Sequence, residues 1–383
     1  MAAQLLPILS RKAGLPLKGP VMVERRSRAA LEGFLLERLD EELPPQRADH
    51  IARAYHLLGL VAGDLDLRAL LVQVYMEQVA GYYDPATSTL YLLEDQPPEA
   101  TQGILVHELV HAVQDQAQDL DALTHRDRGT DARSAAQSAI EGHATLVMLE
   151  AMAEQLQGEE VDLSEIPDFS GALAPALENL TATAPALARA PAVIQESLLF
   201  PYVEGASFVH AIWVAEGRAP PFNRLLPAAT VDVLHPLDFL ERKGWTPQRP
   251  VLTSSPDGYE ILFTETLGAQ DLRILLRDLG HRDPRGAVRG WVGDSVILLQ
   301  SASTGEVGLV FLSLWRDEGA RDAAVAAFQG GGGQFPLTHG VSSHDDVLGF
   351  PAALLQVGLE GLPAMVWEAG EAVLGGAPDG AGE

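Results

Sequence analysis

His107-Glu108-Leu109-Val110-His111 lies in a run from about Pro98 to Leu120 where Val106, Val110 and Val113 recur at helical spacing. An α-helix turns about 100° per residue, so positions four apart leave nearly one face, one turn apart. That spacing lets two neutral imidazole nitrogens bind one tetrahedral zinc ion. Glu108 is rotated by about 100° from His107. Its carboxylate then falls beside the metal rather than on it, where it can take a proton from metal-bound water.

A catalytic zinc ion takes three protein ligands and keeps one position open. The chain has no cysteine, so the third ligand is a histidine or a carboxylate. The next helical pattern, Ala132 to Leu156, contains Glu141-Gly142-His143-Ala144. Glu141 and His143 are about 200° apart around that helix and cannot both face one metal. Gly142 and Ala144 are small, as a close approach of two helices requires. The 29 residues between His111 and Glu141 fit two antiparallel helices joined by the polar loop His125–Asp131. Glu141 is the expected third ligand, His143 its rival, and His125 a more distant candidate. Asp115, four residues after His111, is positioned to accept a hydrogen bond from a ligand histidine.

Working outward, helical patterning covers Leu31–Leu39, Ile51–Leu58 and Leu67–Tyr75. Gly81-Tyr82-Tyr83-Asp84-Pro85 and Leu90-Tyr91-Leu92 flank an Asp-Pro turn signal and read as a strand pair. The proline- and alanine-rich stretch Asp162–Pro191 reads as loop with short helical pieces, and helical patterning returns over Pro191–Trp213. Beyond a turn-rich boundary at residues 247–257, helices are expected over Leu272–Leu279 and Asp317–Phe328, with strands over Ser295–Leu299 and Val307–Leu314. Gly330–Gly333 reads as a flexible loop and the tail after Leu374 as frayed. Trp291, Asp294 and Trp315 are assigned to packing of the C-terminal part, and His210 and His281 lie outside any ligand spacing.

The chain has 383 residues, 47% hydrophobic and 21% charged, which is the globular range. Its 26 basic against 53 acidic residues give a net charge of −27. Such a surface repels phosphate backbones and anionic lipid, which argues against nucleic-acid binding and a polybasic membrane anchor, but it tolerates neutral or cationic substrates. Without cysteine there is no thiol catalysis, disulfide or thiolate-bound cluster. No apolar stretch reads as a membrane span, and the first ten residues carry no basic region or cleavage site of an export signal.

The two histidines on one helix, followed by Glu141-Gly142-His143-Ala144, resemble the gluzincin metallopeptidases, the thermolysin-like class. The strand pair before the His107 helix is similar to the one that precedes it in such enzymes. Pro201-Tyr202-Val203-Glu204-Gly205-Ala206, Leu234-His235-Pro236 and Gly290-Trp291-Val292-Gly293-Asp294 resemble blocks of a bacterial family of uncharacterised metallopeptidase-like proteins. The gap to the glutamate is longer than is usual in the class, and Thr145 and Leu146 stand where further acidic residues follow it there.

The resemblance implies an α+β fold. A mainly helical zincin-like catalytic domain with a small antiparallel β element would occupy residues 75–250. A helical region, 1–74, would precede it and an α+β domain, 257–383, would follow. It implies a zinc peptidase acting on peptide or protein substrates, which could add as an extra strand beside the active helix. The same resemblance slightly favours a secreted or periplasmic address.

Peptide hydrolysis also needs a donor for the oxyanion of the tetrahedral intermediate. Tyr202, on an expected helix before a small-residue stretch, is the first candidate, and a suitably protonated His235 the second. The alternative function is a latent or inactive metallopeptidase-like binding module. In it, the helical region before Tyr75 or the acidic loop Glu159–Glu165 covers the cleft. An intact Glu108 argues against decay, because a structural zinc site does not need it.

Overall fold

The computed structural model describes residues 2–166, 184–242, 245–359, 362 and 365–370, so the expected tail after Leu374 and much of the 162–191 loop lie outside them. The chain is α+β. Its N-terminal part runs α1 (Ala2–Ala13), β1 (Met22–Arg26), α2 (Arg28–Glu42), α3 (Pro45–Leu57), α4 (Leu67–Gln78), β2 (Gly81–Asp84), β3 (Thr89–Leu93), α5 (Pro98–Ala117), α6 (Leu120–Thr124) and α7 (Thr130–Gln157). Then come α8 (Pro185–Arg189), α9 (Ala192–Glu216), α10 (Thr230–Leu234) and α11 (Pro236–Glu241). The C-terminal part is β4 (Pro250–Leu252), β5 (Tyr259–Glu265), α12 (Gly268–Asp278), α13 (Pro284–Ala287), β6 (Trp291–Ser301), β7 (Val307–Trp315), α14 (Glu318–Gly330), β8 (His339–Val347), β9 (Phe350–Val357) and β10 (Trp367–Ala369).

The centre of the helical part is the contact of α7 with α9, against which α5 and α1 also lie. Val106, Val110 and Val113 of α5 are buried, as their spacing predicts, with Leu109 beside them. α9 is the one described helix long and apolar enough to cross a membrane, with a window of mean hydropathy 1.3. That corrects the expectation that no stretch has that character. In this fold α9 uses it for packing, because Phe200, Phe208, Ile212 and Trp213 are all buried. α1 and β1 are absent from the sequence reading. Only Leu6, Leu9 and Ala13 of α1 are buried, and β1 is a charged, exposed strand with no apolar alternation to betray it.

β1 pairs in parallel with β3, and β2 pairs antiparallel with it, in the order β1-β3-β2. β2 is therefore an edge strand, and it lies against α5. The C-terminal sheet is antiparallel throughout, in the order β5-β6-β7-β9-β8. Alternate residues of β6 and β7 serve different cores. Val296, Leu298, Leu309 and Phe311 face the helices, whereas Ile297, Leu299, Val310 and Leu312 face a second cluster that Leu252 and Trp367 flank. Being covered on both sides, β7 is buried at every position and is apolar but for Ser313. β4 pairs with β10 across the turn-rich boundary region, and one buried cluster extends from Leu6 to Val357.

Buried carboxylates pin the helical part to this sheet. Asp294 of β6 accepts hydrogen bonds from the Leu267 N–H (2.7 Å), the Gly268 N–H (2.9 Å) and the Trp291 indole N–H (2.9 Å). It thus takes up donors at the first turn of α12 that the helix cannot pair internally. Asp131, at the start of α7, accepts from both the N–H and the hydroxyl of Thr230. Gly268 has φ +81°, and a Cβ there would overlap the Asp131 carboxylate, so the position needs glycine. Trp291 and Trp315 lie in the same buried layer. Further along α12, Asp271 accepts from Tyr55 of α3 (2.5 Å) and Ser197 of α9 (3.0 Å).

Burial raises the Asp294 carboxyl from 3.8 to about 7 despite its three donors, and burial together with the neighbouring Asp294 charge brings Asp131 to about 7. A carboxyl raised on folding holds a proton that the unfolded chain releases. Its stabilisation is complete below about pH 4 and is lost as the pH rises through about 7. Asp294→Asn should therefore lower stability by about 3 kcal/mol, because the amide cannot accept from all three donors. It should also flatten the decline of stability between about pH 4 and pH 7. Denaturant midpoints of the two proteins across that range test both.

Candidate metal centre

α5 and α7 bring the expected ligands together. His107 Nε2 is 3.1 Å from His111 Nε2 and 3.1 Å from Glu141 Oε2, and His111 Nε2 is 3.3 Å from the same oxygen. Donor atoms held about 2.0–2.1 Å from a tetrahedral zinc ion stand about 3.3 Å from one another, so these three fit that ion. All three side chains are mostly buried, and they form the only His/Asp/Glu group of this kind among the described residues. Burial alone would lower the His111 pKa, but the charge and hydrogen bond of Glu141, with the Glu108 charge and the Gln114 hydrogen bond, together outweigh it and raise the ring to about 9. Burial opposes ionisation of Glu141, yet the His111 and His107 charges hold its carboxyl far below the usual range. The three groups are thus an electrostatic unit even before any cation is considered.

His143 lies elsewhere. Its ring is fully buried between Trp213 and Phe222, and burial lowers its pKa to about 3, which keeps it neutral. The 200° argument separates it from Glu141 correctly. His125 is a turn residue paired with Asp127 at 3.4 Å. His210 bonds the Leu163 carbonyl oxygen, and His281 accepts from the Asp283 N–H.

Asp115 is not the partner of a ligand histidine. It accepts from the Tyr83 hydroxyl at 2.8 Å. The partner of His111 is Gln114, whose Oε1 is 2.8 Å from Nδ1. Four residues carry a side chain about 40° past its starting face, and three bring it about 60° short, so either can approach the ring from the helix surface. Gln114 is fully buried one turn after His111, which its residue type does not reveal.

Glu108 accepts the Tyr83 backbone N–H at 2.8 Å. That donor points away from β3, along the open edge of β2. Tyr83 was quoted only as part of a strand, and nothing in the sequence marks its amide as a partner of Glu108.

Tyr202 stands over the cluster on α9, its ring 6.3 Å from that of His107 and exposed to the cleft. The Glu141 charge, then burial, push its hydroxyl well above the ordinary phenol value, so it remains a donor. His235 does not reach the site. It joins α10 to α11, and its ring Nε2 bonds the Arg285 carbonyl oxygen at 3.0 Å. Its expected role as an oxyanion donor has no geometry behind it.

The cluster opens into a cleft of about 350 Å³. β2 forms one wall, α2 contributes Phe34, Arg38 and Glu42, and Asp121 and Thr124 lie at another side. Phe34 stacks on Tyr82 with ring centroids 4.5 Å apart. The N-terminal region is therefore part of the wall. The Glu159–Glu165 segment packs elsewhere, with Leu163 N–H on Glu150 at 2.9 Å and Asp162 bound to Arg218 at 2.7 Å.

The two helices that carry Glu141 and Tyr202 touch through glycines. A Cβ on Gly142 would lie 2.2 Å from the Gly205 carbonyl carbon, and one on Gly205 would lie 2.3 Å from the Ser138 carbonyl oxygen. Comparisons with family models, with curated proteins and with solved structures gave no match. Gly142→Ala should force α7 and α9 apart, cost about 2 kcal/mol and shift Glu141. A thermal melt should register the first effect and a zinc titration a weakened affinity.

Proposed function

We propose that the chain is a zinc-dependent metallopeptidase of the gluzincin type, hydrolysing peptide bonds in peptides or proteins. The observation that carries this reading is the convergence of His107 Nε2, His111 Nε2 and Glu141 Oε2 at the separations zinc requires. Two neutral imidazoles and one carboxylate suit zinc, and three protein ligands leave a coordination position for solvent. A zinc ion held there supplies Lewis-acid polarisation of a carbonyl and an acidified water. Glu108 stands beside the ligands with one oxygen fixed by the Tyr83 amide. Its carboxylate takes the proton from the attacking water and returns it to the leaving amine. The Tyr202 hydroxyl donates to the oxyanion that develops on the scissile carbonyl. An extended substrate runs beside the edge strand β2, which lines the cleft. The net charge of −27, with Glu42 and Asp121 on the cleft wall, favours neutral or cationic segments over phosphorylated ones.

Elemental analysis and turnover of a broad peptide library, with and without chelator, test the reading. One zinc per chain and chelator-sensitive cleavage are expected, and a protein that binds no metal would overturn it. Glu108→Gln should keep the metal and lower kcat by at least about 10²–10⁴-fold. Glu141→Ala should lose the metal. Tyr202→Phe should keep it and lose about 3 kcal/mol of transition-state stabilisation. Metal-loaded wild type that cleaves nothing, with Glu108→Gln indistinguishable from it, would instead fit a binding module.

A further inference from the structure

Behind the three converging groups is a buried polar chain that the hydrolytic chemistry does not use. Gln114 is fully buried on α5. One end of its amide is 2.9 Å from the Ile140 carbonyl oxygen and 3.1 Å from His143 Nδ1. The other is 2.8 Å from His111 Nδ1. A carbonyl oxygen has no hydrogen to give, so the amide end that faces Ile140 must be the NH2 group. The oxygen end then faces His111, and the only favourable arrangement has His111 Nδ1 donating to it. Once Nδ1 carries the hydrogen, the lone pair of the neutral ring is on Nε2, the atom that faces His107 and Glu141. The second amide hydrogen is donated to His143 Nδ1, so that ring carries its own hydrogen on Nε2. The direction of the chain is thus set by a main-chain carbonyl of α7, one residue before Glu141.

We propose that Gln114 is a positioning residue that fixes His111 in the Nδ1–H tautomer and so presents its Nε2 as a ligand, with His143 as the far anchor of the amide. The consequence for metal binding rests on the reading of His107, His111 and Glu141 as a metal site. The tautomer itself does not. A neutral amide does this without adding a second carboxylate to a fully buried position, where an unpaired charge is expensive. It also couples the two ligand helices, because one amide is bonded to the α5 histidine and to the α7 backbone.

Long-range 1H–15N spectra of the histidine rings, together with zinc titration of Gln114→Met and Gln114→Glu, test this. In zinc-loaded wild type, a slowly exchanging His111 Nδ1–H is expected, with Nε2 bearing the metal-shifted signal. Gln114→Met has a similar length and no acceptor. It should keep the fold by circular dichroism, bind zinc about 10–100-fold more weakly, and lose the slow Nδ1–H exchange. Gln114→Glu, protonated on the oxygen that faces Ile140, keeps an acceptor for Nδ1 and should restore the slow-exchanging signal and most of the affinity. Coordination through His111 Nδ1, or a Gln114→Met protein with wild-type affinity and exchange, would overturn the proposal. If wild type binds no zinc, the metal-site reading fails by itself. The metal-free protein, at a pH where His111 is neutral, then decides the tautomer: a proton on Nδ1 supports the proposal and one on Nε2 overturns it.

Discussion

The contact of Gly142 with Gly205 sets the geometry on which the rest of the molecule depends. Backbone meets backbone there, so α7 and α9 approach more closely than any side chain would allow. Glu141 is the residue before one glycine, and Tyr202 is one helical turn before the other. The contact therefore holds the carboxylate and the phenol on one side of the crossing, facing the cleft that α5 and β2 complete. α9 supplies the length and apolar residues for this, and its Phe200, Phe208, Ile212 and Trp213 are buried.

Much of the site was legible because its logic is local. Two histidines four apart, a glutamate beside the first, and a glutamate that cannot share a face with His143 all follow from helical rotation alone. Gln114 against Asp115 was not legible, because both lie near the His111 face and only packing decides which ring atom each can reach. Tyr83 acts through its main chain, which leaves no trace in residue type. His235 was drawn in by its place in a resembling block, yet its ring is taken up by the Arg285 carbonyl.

The fold shows the same division. Strongly periodic helices such as α5 and α7 were readable, and so were the cores of β6 and β7. β1 is not, since a charged, exposed strand has no apolar alternation, and its parallel pairing with β3 is a long-range event. Nor could a turn-rich segment reveal that β4 crosses to pair with β10. Acidic residues usually mark the surface in a sequence. Here Asp131, Asp271 and Asp294 are buried and join α3, α7, α9, α10, α12 and β6 through hydroxyl and amide donors. The residues expected to lie in separate domains share that junction and one continuous core.

The hydrogen bond from Tyr83 to Glu108 has a consequence for how this chain can vary. The donor belongs to the peptide unit, so nineteen of the twenty amino acids at position 83 would supply it, and only proline would not. A change of side chain there alters the cleft wall and the bond from the Tyr83 hydroxyl to Asp115, while the main-chain anchor of the Glu108 carboxylate stays.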